Sequence, residues 1–82
     1  MAVRDQVREF FIQELKDNGF HPGIDDDESL VDAGIMDSLA ILVTLSFLEE
    51  QFGIVIDEDT LKPENFETVN AICNFIKNNT NT

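Results

Sequence analysis

Basic side chains are scarce: five Lys and Arg stand against seventeen Asp and Glu, a formal net charge of −12 on 82 residues. A chain this acidic repels nucleic acid and anionic membranes, so neither is an expected partner, whereas basic protein surfaces are. Cysteine is scarcer still. Cys73 stands alone and can form no internal disulfide, and "MAVRDQVREFF" alternates charge with apolar residues where a secretory leader would be continuously apolar. A cytoplasmic protein is expected. Long apolar runs are missing too: the longest, residues 39–43, falls far below the roughly 18 residues a membrane span requires. The single histidine, His21, sits beside Pro22 and Gly23 and reads as a loop residue, so no Ser-His-Asp set can be assembled. No catalytic residue is proposed, and no enzyme is expected.

What is present is apolar enough to fold. Hydrophobic residues make up 43% of the chain and include seven Phe, too many for a disordered acidic segment. A chain of this length buries only about 60–65% of its unfolded surface, enough for one modest core. One domain is therefore expected over residues 1–82, fraying from about residue 78 in the polar tail "KNNTNT", and a monomer is the expected state.

Val3, Val7, Phe11 and Leu15 recur every four residues with Phe10 beside them, the stripe of an amphipathic helix whose Arg4, Arg8, Glu9 and Lys16 would face water. Asn18 and Gly19 stop it. A long connection follows over residues 20–36, in which Leu30, Val31 and Ile35 are expected to pin the chain to the core. Asp37 is a good N-cap, able to accept from the backbone N–H of Leu39 or Ala40, for a helix from Ser38 to about Gln51 that stops at Gly53. "GIVID" has no partner strand and reads as an extended connector. Pro63 opens a short turn, "PENF", and Thr68 caps a last helix with Val69, Ile72, Phe75 and Ile76 on one face. The expected fold is all-α, a small four-helix bundle of three main helices and one short one with a long first loop.

Two acidic runs invite a metal reading and fail it. A calcium loop starting at Asp25 needs Gly at its sixth position and Glu at its twelfth, where this chain has Leu30 and Met36. Asp25, Asp26, Asp27 and Glu28 are expected to be a solvated loop that attracts basic partners, and Asp57, Glu58 and Asp59 a capped turn. Cys73, on the last helix, is expected to pack as a small, partly buried hydrophobe.

Ser38 is the residue of interest. On physical grounds its hydroxyl lies accessible at a helix start, where free N–H groups and the positive dipole end would favour a phosphate ester. An arbitrary Asp-Ser pair is usually no more than a cap and a first-turn residue. The surroundings change that reading. "LVDAGIMDSLAILVTLSFLEEQFGIVI" followed by "TVNAICNFI" resembles the phosphopantetheine-carrying domains, the acyl carrier and peptidyl carrier proteins, through Leu30, Asp32, Gly34, Asp37, Ser38, Leu39, Leu48, Glu49, Glu50, Phe52 and Gly53. The resemblance covers nearly the whole chain. It implies that a phosphopantetheinyl transferase with Mg²⁺ moves the 4′-phosphopantetheine arm of coenzyme A onto Ser38, with Asp37 recognised beside it. It also implies that the arm's thiol holds an acyl or aminoacyl group as a thioester.

Within that family, fatty-acid carriers look acidic on the outward face of the second helix, whereas the matching Ala40 and Val43 here are uncharged. At about 100° per residue, Ile41, Leu45, Leu48 and Phe52 fall in one arc and are expected to be core, with Leu42 beside them. Leu39, Val43 and Phe47 form a second stripe. It can be buried all round or be a partly exposed docking surface, and a bundle this small leaves little to cover it. The expected partner-binding residues are Leu39, Val43, Phe47, Glu50 and Met36. "LKPENFETVNAI" is similar to stand-alone aminoacyl carriers of the prolyl or D-alanyl type, which implies an adenylating ligase and a downstream tailoring oxidase, dehydrogenase or synthase as partners. Two other readings stay open: an acyl carrier of fatty acid or polyketide synthesis, and a non-carrier acidic adaptor.

Overall fold

The computed structural model describes residues 2–59 and 61–80. Helix α1 spans Val3–Glu14, helix α2 Ser38–Phe52 and helix α3 Val69–Thr80, with 3₁₀ turns at Lys16–Asn18 and Pro63–Phe66. No strand occurs among the described residues, and the segment after Gly53 is an irregular connector without strand pairing. None of the helices is long and apolar enough to cross a membrane.

Each boundary has a local cause. Asp5 in the first turn of α1 complements the helix dipole. Gly53 ends α2 at φ 65, a left-handed angle that glycine adopts without a Cβ penalty, and its N–H closes on the Glu49 carbonyl. Thr68 caps α3, its hydroxyl accepting from the Ala71 N–H at 2.9 Å. The tail expected to fray from about residue 78 is helical as far as Thr80, where the Asn79 side chain donates to the Phe75 carbonyl at 2.8 Å. Residues 81 and 82 lie outside the described residues.

The core forms where α1 meets α3. Val7 and Phe11 of α1, with Leu15 just past its end, face Val69, Ile72, Phe75 and Ile76 of α3, all buried, and Leu48 is the large α2 residue that joins them fully. The long first connection supplies a comparable share through Phe20, Ile24, Leu30, Ile35 and Met36. It is tied to the start of α3 by two backbone bonds, Leu30 N–H to Glu67 C=O at 2.7 Å and Asn70 N–H to Asp26 C=O at 3.0 Å.

Several sequence expectations change. Val3 and Val31 are exposed, at the helix end and on the outer side of the loop turn, while Leu30 and Ile35 hold the core positions. Arg8 does not simply face water. Its guanidinium pairs with Asp26 at 2.8 Å, donates to the Pro22 carbonyl at 2.9 Å and lies 5.4 Å from the centre of the Phe20 ring. Arg4 takes the other Asp26 oxygen at 2.8 Å, and Asp27 accepts from the Asn70 amide. Half of the acidic run is therefore a tie between α1, the loop and α3. His21 is a loop residue, its ring nitrogen accepting from the Gly23 N–H at 3.1 Å.

Candidate functional site

The start of α2 is built from three directions. Asp37, in extended backbone, accepts from the Ala40 N–H at 2.8 Å through its carboxylate and from the Ile41 N–H at 2.9 Å through its carbonyl. Asn18, at the end of the 3₁₀ turn after α1, donates to the Ile35 carbonyl at 3.0 Å and reaches the other Asp37 oxygen at 3.4 Å. The loop closes around Leu30, whose carbonyl accepts from both Ile35 and Met36. Gly34 makes that return possible: its φ of 77 is left-handed with open space around it, so backbone angle, not room, calls for glycine.

The result is an exposed Ser38 on a fixed frame. Its hydroxyl makes no hydrogen bond among the described residues. The N–H groups of Ser38 and Leu39 lie ahead of the helix ladder and outside the Asp37 cap, so they remain available to an oxygen-rich group. Ser38 also edges an open hollow of about 260 Å³, lined by Ile41, Leu61, Lys62, Pro63 and Phe66. Removing the cap should be felt here first. Asp37→Ala is expected to lower stability by about 1 kcal/mol, read as a drop in urea midpoint, with the largest gain in hydrogen exchange at the Ala40 amide, which loses its side-chain partner.

A family model described as a phosphopantetheine attachment site matches residues 5–76. The chain belongs to this family. No curated protein matches it. Carrier domains of this kind hold 4′-phosphopantetheine covalently, are modified by a phosphopantetheinyl transferase and interact with further enzymes, and 4′-phosphopantetheine is the cofactor of this one. The residues around the head of α2 fit it: an unengaged hydroxyl and free N–H donors lie at the edge of a mainly apolar hollow that Lys62 also lines.

The residues expected to bind partners fall in different places. Leu39 is 70% exposed and Glu50 is exposed. Val43 is half-buried. Phe47 is half-buried too, its ring stacked on Phe10 with centroids 4.0 Å apart, so much of it is engaged within the fold. Met36 lies in the core at 4% exposure, its Sδ 3.9 Å from the Thr44 hydroxyl, which donates to the Ala40 carbonyl at 2.8 Å.

The buried arc of α2 runs through Ala40, Thr44 and Leu48. Ala40 is therefore inward, not outward, and Leu42, expected beside the core, is 61% exposed. Ile41, Leu45 and Phe52 are half-buried at the flank of the core. Leu39 and Leu42 stand together on the outer face, one turn apart and next to Ser38.

Among the described residues no group of three or more His, Cys, Asp or Glu could hold a metal. Cys73 is partly buried, and burial pushes its thiol pKa up, against the lowering effect of Arg4. Little thiolate is present at neutral pH, which suits a packed residue. Asn18 reads in the sequence only as a helix stop before Gly19, and no local signal in the chain links Lys62 to position 38.

Proposed function

We propose that Ser38 carries the phosphopantetheine arm and that the chain is a stand-alone aminoacyl carrier in natural-product biosynthesis of the nonribosomal peptide kind, with proline the leading cargo. The carrying observation is Ser38 itself, an exposed hydroxyl with no competing hydrogen bond, in a domain matched over residues 5–76 to a phosphopantetheine attachment site. When bound, the group supplies a thiol at the end of a flexible arm, where an acyl or aminoacyl cargo is held as a thioester. Ser38 contributes the oxygen of the ester. Asp37 keeps the first turn of α2 wound, so that the hydroxyl is offered to the transferase at a constant angle. The chain catalyses nothing itself; the chemistry belongs to its partners.

The aminoacyl reading is supported by the outer face of α2. Leu39 and Leu42 are exposed at 70% and 61%, and Glu49 and Glu50 follow about two to three turns on. A partner with an apolar pocket and a basic rim fits that face better than a uniformly basic one. The transferase, an adenylating ligase and a tailoring oxidase or dehydrogenase are the proposed users of it. The test is loading of the phosphopantetheinylated protein by adenylating ligases with ATP and single amino acids, read by intact mass. A thioester of proline or another small amino acid is expected. Preference for acyl transfer from acyl-coenzyme A donors would overturn the aminoacyl reading in favour of a fatty acid or polyketide carrier.

A further inference from the structure

We infer that Lys62 is the cation that holds the phosphate of the arm on Ser38 and so sets the direction in which the arm leaves α2; this rests on Ser38 being the attachment point. A phosphodiester at Ser38 adds negative charge to a domain already at −12, directly beside the Asp37 carboxylate. Like charges at such a spacing repel, and a nearby cation offsets the repulsion. The chain has five cations to offer. Arg4 and Arg8 are committed to Asp26, and Lys16 lies in the 3₁₀ turn after α1, outside the lining of the Ser38 hollow. Lys77 lines a different hollow, with Ala2, Val3 and Cys73. Of the five, only Lys62 lines the hollow that contains Ser38.

Lys62 is also placed to act. It is exposed and makes no ion pair among the described residues. Its backbone is fixed: it is the residue before Pro63, its carbonyl accepts from the Asn65 N–H at 2.9 Å, and the side chain springs from the head of the 3₁₀ turn. Asp59 and Glu64 border it on the side away from Ser38, in a second hollow. They are the competitors for its charge.

An exposed lysine–phosphate pair between free molecules would be weak. A group tethered to Ser38 meets Lys62 at an effective concentration in the millimolar range or above, which lets a weak pair be populated. The hollow beside it, about 260 Å³, lies under the ~300–1,000 Å³ of a complete small-molecule site. It suits a rest for a covalently held arm, not a pocket that captures a free ligand.

The test uses the phosphopantetheinylated full-length protein, as wild type, Lys62→Gln, Lys62→Arg and Lys77→Gln, with intact mass recorded first and then the ³¹P resonance of the phosphodiester. At low salt the Lys62→Gln resonance is expected to be displaced from the wild-type position, with Lys62→Arg and Lys77→Gln close to wild type. Raising ionic strength from about 0.01 to 1 M shortens the screening length from about 30 to 3 Å. The wild-type resonance should then move to the Lys62→Gln position, which itself stays put. Coincident wild-type and Lys62→Gln resonances at low salt overturn the Lys62 assignment while leaving Ser38 attachment intact. An equal displacement by Lys77→Gln overturns it as well, as an effect of net charge alone. No mass gain in any protein removes the attachment reading and this one with it.

Discussion

Ser38→Ala is expected to stay folded and to take up no phosphopantetheine. Incubated with coenzyme A, Mg²⁺ and a broad-specificity transferase, the wild type should gain the mass of one arm, and the variant none. The fold has little to lose at this position, because the Ser38 side chain is exposed and makes no hydrogen bond among the described residues. Surface changes of that kind stay within about 0.5 kcal/mol, and alanine is the slightly better helix former. Loss of loading therefore reports missing chemistry, not missing structure. Two other serines offer a comparison. Ser29 is half-buried and its hydroxyl accepts from the Asp32 N–H at 3.1 Å, so it is engaged in the loop turn. Ser46 is exposed but lies within α2, where the neighbouring N–H groups are spent on the helix ladder. Full uptake by Ser38→Ala, with the arm mapped to Ser46, would sink the assignment.

How far the sequence leads toward this site differs between the ends of α2 and its faces. The ends are written in single residues with specific chemistry: Asp37 at the cap and Gly53 at the left-handed stop stand where their side chains predict. Thr68 and Pro63 do the same for α3 and the turn before it. The rotation of α2 about its own axis is a different problem. Residues 39–43 are all apolar, so hydrophobic periodicity separates the faces only weakly and favours the arc through Ile41 and Leu45 over the one through Ala40 and Thr44. The fold selects Ala40 and Thr44 for the buried side, and Thr44 is tolerable there because its hydroxyl is satisfied by the Ala40 carbonyl. That choice turns Leu42 outward and Phe47 onto Phe10. A two-residue pattern of small side chains at i and i+4 was the only hint. The Arg8 and Asp26 tie was equally hidden, because a stripe of charges on an amphipathic helix normally means solvent.

Leu30→Ala is expected to damage the fold severely, lowering stability by about 2–5 kcal/mol and the melting temperature by roughly 10–30 °C. Leu30 is fully buried. Its backbone is also the junction of the long connection, donating to Glu67 at the head of α3 and accepting from Ile35 and Met36 just before the Asp37 cap. Truncating the side chain leaves a void in the packed core. A domain of this length holds only about 4–12 kcal/mol in total, at 0.05–0.15 kcal/mol per residue, so the loss takes a large part of the reserve. The neighbouring residue is the control. Val31 is 47% exposed, and Val31→Ala should stay within about 0.5 kcal/mol of wild type, although the two residues look interchangeable as loop anchors in the sequence. Thermal unfolding followed by circular dichroism separates them, and equal losses at 30 and 31 would mean that the loop is turned differently. The same loop carries Asp37 and Ser38 into place through Ile35 and Asn18. Uptake of the arm by Leu30→Ala should therefore fail at the temperature where its unfolding transition begins, well below that of the wild type, while the chemistry at the hydroxyl is untouched.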